Sequence, residues 1–89
     1  MNDIEREITR IITAILMELN SAKVGDDLSR DVQINGRWYK ISLTNEADFM
    51  LYREHDDPQS YTPLAMAYNG VDDVSEAIDV ISRRIEIDR

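Results

Sequence analysis

Arg30-Asp31-Val32-Gln33-Ile34-Asn35-Gly36-Arg37-Trp38-Tyr39-Lys40-Ile41-Ser42-Leu43-Thr44 is the stretch from which the rest of the chain can be placed. Asn35-Gly36 separates two runs of strand formers, and this dipeptide accepts the left-handed backbone angles of a two-residue type I′ turn. A loop of that length sets the register: Ile34 opposes Arg37, Gln33 opposes Trp38, Val32 opposes Tyr39 and Asp31 opposes Lys40. Successive side chains on a strand point to opposite faces. Val32, Ile34, Tyr39, Ile41 and Leu43 therefore share one face, and Asp31, Gln33, Trp38, Lys40 and Ser42 share the other. The opposed charges of Asp31 and Lys40 favour the same register.

Beyond the hairpin, Thr44-Asn45-Glu46-Ala47 reads as a second turn. Asp48 to Glu54 alternates, with Phe49 and Leu51 on one side and Met50 and Tyr52 on the other, as a third antiparallel strand does. Glu54 to Ser60 is a polar loop carrying Pro58. Thr62 to Gly70 supports two readings. Thr62-Pro63 can begin a short helix stopped at Gly70, or Leu64, Met66 and Tyr68 can alternate with Ala65 and Ala67 in a fourth strand; the strand is preferred.

Two amphipathic helices flank this ribbon. From Asp3 to about Asn20, Ile4, Ile8, Ile11, Ile12, Ile15, Leu16 and Leu19 recur at spacings of three and four, with Ala14 and Met17 widening the stripe. Asn2 is placed to cap this helix, Glu5 has the capping-box spacing, and Asp3, Glu5 and Glu7 suit the positive end of its dipole. Asn20 to Ser29 is a connector with turn chemistry at Gly25-Asp26-Asp27, where Val24 and Leu28 can tuck under the sheet edge. The closing helix starts after Val71 with Asp72 or Asp73 as cap. Its buried stripe is Val74, Ala77, Ile78, Ile81 and Ile85, and Arg83 and Arg84 lie toward its carboxyl end. The expected fold is α+β in two layers: an N-terminal helix, a three- or four-stranded antiparallel meander and a C-terminal helix, both helices on one sheet face. With 89 residues the chain is expected to form a single domain, residues 1–89.

Eighteen acids against ten bases give a formal charge of −8 and a pI near 4.4. That balance repels phosphate backbones and anionic membranes, so neither direct nucleic-acid binding nor membrane binding is expected, while basic partners are steered in. The helix–strands–helix order also occurs in double-stranded RNA modules, but the acids Asp72, Asp73, Glu76 and Asp79 occupy the closing helix where bases would be needed. There is no cysteine, the early residues Asp3, Glu5 and Glu7 are unlike a signal peptide, and the Ile11–Met17 run is too short for a membrane span. A cytoplasmic location is expected.

Catalytic material is sparse. His55 is the sole histidine, and its neighbours Asp56 and Asp57 lie in the same polar loop, where adjacent residues rarely reach base-and-orienter geometry. No enzyme activity, cofactor or metal is expected: the pairs Asp26-Asp27, Asp56-Asp57 and Asp72-Asp73 lack the spaced ligands of a calcium loop. The isolated glycines Gly25, Gly36 and Gly70 form no phosphate cradle.

Function therefore rests on surfaces. Trp38, Met50 and Tyr52, with Lys40 and Asp31 among them, fall on the sheet face that the helices leave uncovered, and such residues are enriched in interfaces. A loop from Asp56 to Tyr61 folding over them, or self-dimerisation, would equally satisfy that face. The expected function is a protein-binding module that docks on a basic protein surface, in its sharpest form an inhibitor or nucleic-acid mimic. The candidate binding residues are Trp38, Met50, Tyr52, Asp31, Asp56, Asp57, Asp72, Asp73 and Glu76. Asp26, Asp27, Asp48, Glu54 and Asp79 add to the acids spread along the chain, although acids also serve simply to solubilise a surface. The alternative is a homo-oligomeric accessory or chaperone-like protein that pairs through its sheet face.

Overall fold

The computed structural model describes residues 2–20, 28–54 and 60–88. The expectations for Val24, the Gly25-Asp26-Asp27 turn, His55, Asp56, Asp57 and Pro58 lie outside the described residues. The element order is α1 (Asp3–Leu19), β1 (Leu28–Ile34), β2 (Arg37–Leu43), β3 (Phe49–Glu54), β4 (Tyr61–Ala67) and α2 (Val74–Asp88). The four strands form one antiparallel sheet in the order β1-β2-β3-β4. This is the α+β meander with flanking helices; the strand reading of residues 62–70 holds as far as Ala67, and Tyr68, Asn69 and Gly70 lie in a turn.

The first hairpin has the register its turn dictates, from Ile34↔Arg37 through Gln33↔Trp38, Val32↔Tyr39 and Asp31↔Lys40. Asn35 and Gly36 have φ of 53° and 82°, the positive pair that a type I′ turn needs and that matches the right-handed twist of the strands. Val32, Ile34, Tyr39, Ile41 and Leu43 are buried with Phe49 and Leu51, packed against Ile4, Ile8, Ile11, Ile12 and Ile15 of α1 and Ala77, Ile81 and Ile85 of α2. Each such aliphatic side chain removed from water contributes about 1.5–3 kcal/mol. α1 lies over β1 and β2, and α2 lies over β4 and beside α1. The start of α1 meets the end of α2, where Asn2 Nδ2 donates to Glu86 Oε1 at 2.5 Å. The helices therefore run antiparallel.

Both helix starts are capped as expected: Glu5 N–H donates to Asn2 Oδ1 at 2.8 Å, and Glu76 N–H donates to Asp73 Oδ1 at 3.1 Å. Two details of the helices differ from expectation. Met17 and Leu19 are exposed, at 69% and 39%; at about 100° per residue Met17 falls on the side of α1 opposite the isoleucine stripe. Arg83 and Arg84 lie more than one turn from the end of α2, which runs on to Asp88 and has no base in its last turn. The charge suited to its negative end comes instead from β2, where Arg37 Nη1 donates to the Asp88 carbonyl at 3.0 Å.

β4 carries an irregularity that simple alternation misses. Leu51 pairs with Ala65 but Tyr52 pairs with Pro63, so Leu64 has no partner on β3. This bulge turns Leu64 as well as Ala65 toward the core. Met66, Pro63 and Tyr61 are left on the opposite face, across from Met50, Tyr52 and Glu54. Pro63 is tolerated because it sits at a bulge on an edge strand. Beyond β4, Gly70 is set by close approach: a Cβ there would stand 2.6 Å from Phe49 Cδ2. The adjoining turns are tied together, since the buried Asp48 carboxylate accepts from Asn69 N–H at 2.6 Å and Ala47 O accepts from Val71 N–H at 3.3 Å.

Candidate docking face

The helices cover one side of the sheet, and the molecule measures 33 × 32 × 18 Å, two layers thick. Among the described residues the other side has no second layer. It carries Asp31 and Gln33 from β1, Trp38, Lys40 and Ser42 from β2, Met50, Tyr52 and Glu54 from β3, and Tyr61, Pro63 and Met66 from β4. Trp38 is 46% exposed, while Met50, Tyr52, Tyr61 and Met66 are half-buried by one another and by the sheet.

Cross-strand pairing orders these side chains into rows. Asp31, Lys40, Tyr52 and Pro63 form one, and Ser42, Met50 and Met66 contribute to the next. Gln33 opposes Trp38 and Glu54 opposes Tyr61, and continuing the β2–β3 register sets Glu54 beside Trp38. Lys40 and Tyr61 meet across β3, the Lys40 Nζ lying 4.7 Å from the Tyr61 ring centroid. The Tyr61 phenol is raised above its ordinary value of 10.0 by desolvation, then by the negative charges of Asp31 and Glu54.

The basic side chains of the strands are sorted by face. Arg30, Arg37 and Arg53 alternate onto the helix side, where Arg30 pairs with Glu18 and the other two pair with Asp88. Of the strands' bases only Lys40 lies on the open side. The Asp88 carboxylate, 7% exposed, accepts from Arg53 Nη1 at 2.7 Å, from Tyr39 Oη at 2.9 Å and from Arg37 Nη1 at 3.3 Å. An open cleft of about 240 Å³ beside this cluster is lined by Ile34, Asn35, Arg37 and Tyr39, and its Arg37 and Tyr39 groups are committed to Asp88.

The candidate binding residues are thus divided. Trp38, Met50, Tyr52 and Asp31 come together on the open face. Asp72, Asp73 and Glu76 stand at the start of α2 in the helix layer, with Asp73 occupied in capping. Asp56 and Asp57 lie outside the described residues. Asp48, grouped among the surface acids, is buried and bonded to Asn69. Tyr61 and Met66 also belong to the open face: the sequence reading sets Tyr61 at the end of the preceding loop, one residue before the expected strand, and groups Met66 with Leu64, which the bulge turns to the core; the signal available was the alternation Tyr61, Pro63. Among the described residues no three metal-ligating side chains cluster, and no helix is long and apolar enough to cross a membrane. Comparison of the chain with protein-family models, with curated proteins and with solved structures finds no match.

Proposed function

We propose that the chain is a small, acidic, non-catalytic binding module of the cytoplasm that docks through the open face of its sheet on a protein with a basic surface, and so acts as an inhibitor or accessory of that protein. The observation that carries this reading is Trp38, an indole 46% exposed on a face with no second layer among the described residues, a face that also carries Tyr52, Tyr61, Met50 and Met66. Trp, Tyr and Met side chains gathered on one open face have the composition of an interface core. The net charge of −8 supplies long-range attraction to a basic partner. Strict nucleic-acid mimicry needs acids arrayed on the docking side. Asp31 and Glu54 stand there, while Asp72, Asp73 and Glu76 do not, so the reading rests on apolar contact with electrostatic steering.

The test is affinity capture from the source cell at low ionic strength, with the wild-type chain and Trp38→Ala side by side. A partner retained by the wild type, released near about 0.5 M salt and lost with Trp38→Ala at unchanged thermal midpoint supports the reading. A partner indifferent to Trp38→Ala overturns it. Pairing of two copies through the same apolar residues predicts instead a dimer in sedimentation that survives high salt and dissociates with Trp38→Ala.

A further inference from the structure

We propose that the open face receives a partner's arginine side chain, its guanidinium stacked on the Trp38 indole and held between the carboxylates of Glu54 and Asp31. The inference rests on the docking reading and names the chemistry of the partner. Continued one step past Tyr39↔Arg53, the β2–β3 register sets Glu54 beside Trp38, and the β1–β2 register sets Asp31 diagonal to it, separations of about 5 Å and about 7–8 Å between neighbouring residues on one sheet face. Among the described residues neither carboxylate has an ion-pair partner, although Arg30, Arg37, Arg53 and Arg83 all do. The strands' three arginines are all drawn to the helix side, which leaves Lys40 as the one strand base facing Asp31 and Glu54 on the open side.

The chain itself demonstrates what this surface accepts. Lys40 Nζ rests over the Tyr61 ring, a cation on an aromatic face within the field of Asp31 and Glu54. Trp38 offers the better aromatic partner, is more exposed, and holds no cation of its own among the described residues. A guanidinium fits it better than an ammonium, because it is planar, stacks on the indole and still directs its N–H groups outward to two carboxylates.

Trp38 is the only tryptophan, so its fluorescence reports on this site alone. The probes are hexa-arginine and hexa-lysine peptides titrated at low salt. Hexa-arginine is expected to change the Trp38 emission saturably, with hexa-lysine at least about threefold weaker. Asp31→Asn with Glu54→Gln should raise the half-saturation point about tenfold, whereas Asp72→Asn with Glu76→Gln, the same charge change in the helix layer, should move it less than about twofold. An absence of saturable change, equal response to both peptides, or equal weakening by the two double variants overturns the inference. Failure here is distinguishable from failure of the docking reading. A captured partner that needs Trp38 but ignores Asp31→Asn with Glu54→Gln removes the arginine site and leaves docking in place; one that ignores Trp38→Ala removes both.

Discussion

Asp88 shows how much one side chain near the end of a chain can organise. An acid in the last turn of a helix opposes the helix dipole, yet this one is 7% exposed and gathers Arg53, Arg37 and the Tyr39 hydroxyl. Its carboxylate thereby pins the end of α2 to β2 and β3. Asp88→Asn should lower stability by about 1–2 kcal/mol, the low end for hydrogen bonds to a charged group, because both arginines keep part of their hydration; urea unfolding measures it. Tyr39 adds a pH dependence. Its phenol is raised above 10.0, first by burial, then by the hydrogen bond to Asp88 and by that carboxylate's charge, against Arg37 and Arg53. The fold prefers the neutral phenol, so the contribution is complete below pH 10.0 and is lost as pH rises through the folded-state value. Urea midpoints between about pH 8 and about pH 11 should therefore fall less for Tyr39→Phe than for the wild type. Ser82 is the opposite case, a buried hydroxyl with no hydrogen-bond partner among the described residues. Ser82→Ala should stabilise α2 by up to about 1 kcal/mol, through the relieved hydroxyl and the better helix propensity of alanine, read as a rise in thermal midpoint.

Elements were legible in the sequence where the chemistry was local. Asn35-Gly36 determines a turn, the turn determines a register, and the register divides Tyr39 from Trp38; each step uses residues within a few positions of one another. The caps at Asn2 and Asp73 were legible for the same reason. What joins distant positions was not. Tyr39 looked like one more core aromatic until Asp88, 49 residues on, supplied the acceptor for its hydroxyl. The open face lost Met66 to a bulge that no period-two count can register, and Tyr61 to a strand that begins one residue before Thr62. Two glycines separate these kinds of cause. Gly36 has φ of 82° and open space around a would-be Cβ, so Gly36→Ala should cost about 1 kcal/mol through backbone conformation alone, and Gly36→Asn less, since asparagine tolerates that region. Gly70 is confined by Phe49 and the Ala67 carbonyl, so Gly70→Ala should cost about 1–3 kcal/mol by overpacking. Any larger residue should cost more. Urea midpoints of the three variants give the order Gly36→Asn, Gly36→Ala, Gly70→Ala from mildest to most damaging.

At the scale of the molecule, salt should act in opposite directions on the fold and on its proposed partnership. A charge of −8 on 89 residues makes the compact state repel itself. The ion pairs on the helix side offset only part of this, and those at Arg10–Glu7 and Arg83–Asp79 are largely exposed, so each is worth little. Raising sodium chloride from about 0.02 M to about 0.5 M shortens the Debye length from about 20 Å to about 4 Å. Repulsion spread over the whole surface is then screened, while the short contacts around Asp88 are screened least. Stability should rise by about 1 kcal/mol, an upward shift of about 4–8 °C in thermal midpoint for a domain of this size. A fall would mean that exposed ion pairs outweigh the excess of acids. The same addition of salt should weaken capture of a basic partner by the open face. Loss of binding in high salt, measured on a chain that has become harder to melt, can then be assigned to the interface and not to unfolding of the sheet that presents Trp38.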